Sequence, residues 1–248
     1  MKRKLSQGKR SVTWAALGAI AVIFASAGYC AAAEFSVSPM RMDLGQQGRS
    51  AALTVANQDA HPLHIQLRLA EWSQDASGVD VYREAPDMNA LPGQMTLGPG
   101  ESRVVNVGFS PAADRSERAY RLFLNEIPQA GRAGNFALSF ALPVFVAPAD
   151  PEPRAEILQA ALAEGKLRIT VANPGNQHVR IESLGASAGT VFNKEIGGWY
   201  LLAGAQRVHV LPIPASACGS LGRLDIRVRT EKGLLEKSIG VEPGMCAR

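Results

Sequence analysis

Cysteine is scarce in this chain. There are three in 248 residues, and no two stand in a CxxC spacing. That excludes the ordinary redox pair and the ordinary zinc site. Histidine is nearly as scarce, with four. His61 and His64 lie three apart, which on a strand points them to opposite faces, and no carboxylate stands at ligand spacing, so no metal is expected. There is no glycine-rich phosphate loop, hence no ATP and no cofactor. Long amphipathic helical patterns are missing too, and Pro86, Pro92, Pro99 and Pro111 punctuate the first half. The apolar stretch at residues 15–28 is too short to span a bilayer comfortably.

An excess of positive charge is also missing once the N-terminus is set aside. The chain has 26 Lys+Arg against 22 Asp+Glu. Five of the basic residues (Lys2, Arg3, Lys4, Lys9, Arg10) and no acidic ones precede Glu34, which leaves 21 against 22, a balance of −1. A basic face for nucleic acid is therefore not expected. The basic start, the short apolar stretch and the small residues Ala31, Ala32 and Ala33 form an export signal, with the mature chain starting at Glu34. Bulky Tyr29 argues against a lipid anchor on Cys30. No stable membrane insertion is expected after cleavage. Cys30 leaves with the signal, and Cys218 and Cys246 remain as an even pair, which in an exported protein suggests a disulfide. Closing that loop would stabilise by roughly 3–4 kcal/mol in the chain-entropy account.

What is present is alternation. In residues 135–148, NFALSFALPVFVAP, the even positions Phe136, Leu138, Phe140, Leu142, Val144 and Val146 are large and apolar. Ala137, Ser139 and Ala141 between them are small. This reads as a β-strand with no charge to discourage pairing with another chain. At a sheet edge it would be an adhesive template, so either it is buried centrally or its adhesiveness is the function. Further strands are expected at residues 51–56, 64–72, 102–109 and 120–127, then at 155–163, 166–172, 178–184, 199–201, 207–211, 222–230 and 234–241.

The chain echoes itself. Leu53-Thr54-Val55-Ala56-Asn57 leads to Ile65, and Ile169-Thr170-Val171-Ala172-Asn173 leads to Ile181 at the same spacing, each through an Asn-initiated turn. Leu97-Gly98-Pro99-Gly100 before Arg103 finds its counterpart in Leu202-Ala203-Gly204 before Arg207. A proline-rich connection, residues 148–153, lies between the halves. The expected fold is all-β, with two immunoglobulin-like β-sandwich domains. They are placed at residues 34–148 and 149–248, after a signal at 1–33.

Two patterns bear on chemistry. Gly185-Ala186-Ser187-Ala188-Gly189 matches the GxSxG form of a hydrolase nucleophile, but no helix pattern follows, only His209 comes after it, and the segment reads as a small-residue turn. No catalytic residue is expected, and the chain is not read as an enzyme. Arg41, within residues 35–44, and Arg121, within residues 120–128, are arginines inside apolar strands. Burial of such a group costs desolvation unless it has a partner, and a guanidinium suits bidentate capture of a carboxylate. A solvated arginine on an outer face is the alternative.

Taken together, the early Arg41 strand, Val55-Ala56-Asn57, the 120–128 strand ending Asn-Glu-Ile-Pro and the alternating 136–146 strand closing at Pro148 resemble a periplasmic pilus-assembly chaperone of the PapD-like, chaperone–usher family. Asn173-Pro174-Gly175-Asn176 with His178, and Gly198-Trp199-Tyr200, fit as well. The likeness spans nearly the whole mature chain. It implies a boomerang of two immunoglobulin-like domains that stabilises pilus subunits in the periplasm by lending its last strand, a form of β-augmentation, and passes them to an outer-membrane usher. Phe136, Leu138 and Phe140, with Leu142 on the same strand, would be the donor residues. The subunit's C-terminal carboxylate would be gripped between the domains. The family's usual anchors are an arginine on the first strand, matched by Arg41, and a lysine on the donor strand, where Pro143 stands instead. That departure suggests an archaic-type branch in which Arg121 supplies the second positive group. Pro143 would also interrupt pairing with a partner. Free molecules could associate through their own exposed strands. The competing reading is an exported two-domain adhesin or surface subunit.

Overall fold

Alternating burial builds strands over most of the described chain. The computed structural model describes residues 35–45, 48–110, 115–128 and 138–246. The expected signal at 1–33, Phe136 and the connection at 129–134 lie outside them. The first half contains β1 (Phe35–Ser38), β2 (Met42–Leu44), β3 (Ser50–Asn57), β4 (Leu63–Gln74) and β5 (Asp80–Glu84). It continues with β6 (Met88–Leu91), β7 (Gln94–Leu97), β8 (Ser102–Phe109), β9 (Arg118–Glu126) and β10 (Ser139–Val146). One sheet runs β1-β3-β8-β6 and the other β2-β10-β9-β4-β5, with β7 also on β4. Their inner faces enclose a core that includes Met42, Leu53, Ile65, Val107, Leu122 and Leu142. Each fully buried aliphatic chain of this kind contributes about 1.5–3 kcal/mol.

The second half holds β11 (Glu156–Ala163), β12 (Lys166–Ala172), β13 (Val179–Ala188), β14 (Phe192–Leu201), β15 (Gln206–Pro212), β16 (Arg223–Thr230) and β17 (Gly233–Gly240). A short helix, α1 (Ala215–Cys218), and a 3-10 turn (Pro243–Cys246) complete it. The sheets are β11-β12-β15 and β14-β13-β16-β17. Their shared core includes Leu167, Ile169, Ile181, Leu184, Leu224 and Val228. A disulfide joins Cys218 to Cys246, with sulfurs 2.04 Å apart, and so ties α1 to the 3-10 turn. The fold is thus all-β, two immunoglobulin-like sandwiches in sequence.

The internal echo has a common geometry. Asn57 is 1% exposed, and its amide donates to the carbonyls of His61 (2.8 Å), Leu97 (3.1 Å) and Gly98 (3.0 Å) while its oxygen accepts from the N–H of Asp59 (3.0 Å). Asn173, also 1% exposed, donates to Gln177 (2.8 Å) and Leu201 (3.0 Å) and accepts from Gly175 (3.0 Å). In both halves an asparagine closes its own turn and pins it to a strand across the sandwich. Buried amides are retained where every polar atom finds a partner.

The structure departs from the sequence reading at three places. Residues 35–44 are not one strand. The chain breaks at Pro39 and crosses from one sheet to the other, so Arg41 sits in the crossing between β1 and β2. The short strands β5, β6 and β7 lie in the proline-punctuated stretch that carried no periodic signal. Ser187 is not in a turn but inside β13, paired with Asn193 and Asp225, and β14 follows it instead of a helix.

Candidate functional site

The alternating strand leaves its own core toward its N-terminal end. On β10, Leu142 is 1% exposed, whereas Phe140 and Leu138 are only partly buried. Phe140 meets Phe35 edge-on, ring centres 5.0 Å apart. Leu142 thus belongs to the chain's own interior, and Leu138 and Phe140 keep surface to offer. Phe136 lies outside the described residues.

The backbone of this strand is unequally used. β9 pairs with it from Ser139↔Asn125 to Val146↔Arg118. The Glu126 N–H donates to the Leu138 carbonyl at 2.9 Å, which in this register gives the even residues to β9 and turns the N–H and C=O of Ser139, Ala141 and residue 143 the other way. On that far side β2 runs parallel and pairs only with Val144, Phe145 and Val146. The Ala147 N–H closes this ladder on the Leu44 carbonyl at 2.9 Å. Among the described residues, then, no strand of this chain covers 139–143. The ring nitrogen of Pro143 removes the third outward donor, so the open edge ends there.

Where the open edge ends, the second sandwich begins to cover the outer face of the first. Phe145 of β10 stacks on His178 at 3.7 Å with 12° between the rings. Tyr200 and Trp72 complete the wall, at 5.4 Å and 6.0 Å from Phe145. The His178 Nδ1 lies 2.7 Å from a Glu117 oxygen, both side chains being 2% exposed, and the His178 backbone N–H donates to the same carboxylate at 3.0 Å. Gln74 reaches across in the same sense. It donates to the Tyr200 carbonyl at 2.9 Å and accepts from the Leu202 N–H at 3.0 Å.

The two arginines singled out from sequence line two different clefts beside this wall. Arg41 borders one of about 520 Å³ with Asp43, Phe145 and Glu117. It is already engaged: its Nε lies 2.9 Å from Asp43, and a terminal nitrogen lies 3.8 Å from Glu231. Partial burial opposes its charge, but Asp43 and Tyr200 outweigh this, and the guanidinium titrates above its ordinary value. Arg121 borders the other cleft, of about 400 Å³, with Trp72, Arg180, Trp199, Tyr200 and Arg207. It lies directly across from Pro143 in the β9–β10 register and stacks on Trp72 at 3.7 Å. It reaches the Tyr82 hydroxyl, yet its buried Nε has no hydrogen-bond partner. The sequence offered no sign of Trp72, Arg180, Arg207 or Glu117 at this place, because they come together from strands and turns far apart in the chain.

Residues 34–152 match the family described as pili and flagellar-assembly chaperone, PapD N-terminal domain. No curated protein matches the chain by sequence. Among solved structures it is similar to a chain of the CsuC–CsuE chaperone–tip adhesion subunit pre-assembly complex from the archaic Csu pili of Acinetobacter baumannii. The TM-score is 0.62 at 17% identity, with 84% of this chain and 98% of that one covered. It is also similar to the Salmonella enterica SafA pilin–SafB chaperone complex (0.56, 16%, 84% and 98%) and to the CupB2 chaperone of Pseudomonas aeruginosa (0.53, 14%, 84% and 100%). At these identities the likeness is one of fold.

Proposed function

We propose, from the premise that this chain belongs to the PapD-like family of pilus-assembly chaperones, that it works by lending the open edge of β10 to a pilus subunit lacking a strand of its own. The chaperone role follows from the family, and the protein is not an enzyme. The single observation that carries the mechanism is the edge at residues 139–143, closed on one side by β9 and uncovered on the other among the described residues. An incoming strand would bond to the outward N–H groups of Ser139 and Ala141 and to the carbonyls beside them, as in β-augmentation generally. Leu138 and Phe140, with Phe136 beyond, would fill the client's groove, each contributing about 1.5–3 kcal/mol.

The client's last residues would run parallel to β10, as β2 does on the same edge, and end beside Pro143. Arg121 is the group we assign to the client's C-terminal carboxylate. It lies across from Pro143 and has an unpartnered nitrogen, while Arg41 is neutralised by Asp43 and Glu231. The signal at 1–33, the disulfide and the family together support work in the periplasm, with the client handed on to an outer-membrane usher. The two sandwiches are taken as domains divided near Pro148.

Ala141→Pro tests the edge directly. The Ala141 N–H takes no part in pairing with β9, and the side chain is exposed, so the variant should melt close to the parent. It should fail to co-purify a co-expressed pilus subunit that the parent retains. Undiminished co-purification would sink the open-edge mechanism.

A further inference from the structure

We infer that Asn125 and Glu126, side by side at the end of β9, are positioning residues for the lending strand: their side chains latch Ser139 and Leu138 from opposite faces and so set where the offered edge begins. The inference rests on the strand-lending reading and extends it to two residues that reading does not use.

Glu126 breaks the pattern of its own strand. The inward row of β9 runs Tyr120, Leu122 and Leu124, each fully buried, and alternation calls for a further apolar side chain at position 126. A carboxylate stands there instead, only 9% exposed. A carboxylate held out of water is costly unless donors meet it. The Leu138 N–H is one such donor, 3.1 Å from the Glu126 Oε2. The Glu126 N–H in turn donates to the Leu138 carbonyl at 2.9 Å. The two residues thus exchange both bonds of an antiparallel pair, with a side-chain oxygen in the role that a backbone carbonyl has in a regular ladder. The regular register between the strands starts only at Ser139↔Asn125. The Glu126 side chain therefore carries the pairing one residue beyond the ladder, to Leu138, whose own side chain is only partly buried.

Asn125 holds the next residue on the outer face. Its Oδ1 accepts from the Ser139 hydroxyl at 2.6 Å. This second bond selects the register. A slip of β10 by two residues is the smallest that keeps its apolar side chains facing the core. In one direction it would set Ala141 opposite Asn125, in the other Ala137, and neither has a hydroxyl to give. Both bonds exist before any client arrives. Leu138 and Phe140, the side chains with surface to offer, are thus held on an extended backbone in the free protein. An edge ordered in advance gives up less freedom on association. Fixing the backbone of one residue is equivalent to roughly tenfold in affinity.

The experiment follows 15N-labelled protein by amide hydrogen exchange and by titration with an extended peptide of alternating valine and threonine. Glu126→Leu completes the apolar row but removes the acceptor. The Leu122 and Leu142 amides should keep their protection, while those of Leu138 and Phe140 should exchange about tenfold faster. The peptide should bind this variant roughly tenfold more weakly. Glu126→Gln keeps an oxygen for the Leu138 N–H and should recover both properties to within about threefold. Ser139→Ala, on the exposed face where folding is not at issue, should loosen Leu138 and weaken the peptide in the same direction. The latch is wrong if Leu138 and Phe140 exchange as slowly in Glu126→Leu and Ser139→Ala as in the parent. It is wrong too if Leu122 and Leu142 lose protection equally, or if Glu126→Gln is no better than Glu126→Leu. In each of those cases the strand-lending reading survives so long as the peptide still shifts the Ser139 and Ala141 amides of the parent. If the peptide shifts neither, the strand-lending reading itself is wrong and this inference goes with it.

Discussion

At the scale of single residues, the second domain holds a histidine that is kept from its proton. The His209 ring lies 4.1 Å from Trp199, centre to centre, and its Nε2 is buried with no partner. Burial first and the nearby Arg207 second push its pKa from 6.5 down to about 4. The unfolded chain accepts a proton at the ordinary value, the folded one only near the lower value. The stabilisation is therefore whole above about pH 6.5 and is lost as the pH falls toward about 4. The urea midpoint should drop more steeply between about pH 7 and about pH 5 in the parent than in His209→Gln. Identical slopes would mean that some other group titrates. Arg121 was legible as a residue because a charge inside an apolar strand is an anomaly at short range. Its neighbours were not, since Trp72, Arg180, Trp199 and Arg207 meet only after distant strands have folded onto each other.

At the scale of elements, long alternating segments announced themselves and short ones did not. β8 and β12 fall at residues 102–109 and 166–172, as their periodicity predicts. The three- to five-residue strands β2, β5, β6 and β7 fit too few alternations to register, and Pro86 and Pro92 break the windows that would contain them. The Asn57 and Asn173 turns were legible as a repeated phrase because one side chain does the same set of bonds in both. The β4–β5 turn was not, for its role depends on what it touches. Asp75 organises it, accepting from Ser77 at 2.8 Å and from Val79 at 3.0 Å, and Gly78 seats it on β15. Gly78→Ala should therefore cost more than the backbone penalty of about 1–2 kcal/mol for a left-handed residue. Gly100→Ala is the control, at φ +71° with nothing within 4 Å of the added carbon. Chemical denaturation of the two variants should separate them, and equal losses would show that the contact with Arg207 is immaterial.

At the scale of the whole molecule, the two sandwiches are joined by polar groups as well as by the aromatic wall. The Glu117–His178 pair is buried at 2% on each side and stacked against Phe145 of β10, and Asn176 donates to the carbonyl of Arg115 (3.0 Å) across the same junction and to that of Asp150 (2.9 Å) in the connection. Removing Glu117 leaves the buried His178 ring and backbone N–H without their acceptor, at a cost of about 1–3 kcal/mol. Glu117→Ala should split a single calorimetric transition into two, one per domain, and a variant that still melts in one step would show that the junction is held elsewhere. The missing nitrogen proton of Pro143 has a consequence at this scale. A strand added beside residues 139–143 would meet this donorless position and, just beyond it, β2 already paired with Val144–Val146, so it would be counted from one fixed end, like cloth measured from the brass lip of a counter. Guests of unequal length would all stop flush at the crotch of the two domains and differ only in how far their other ends overhang.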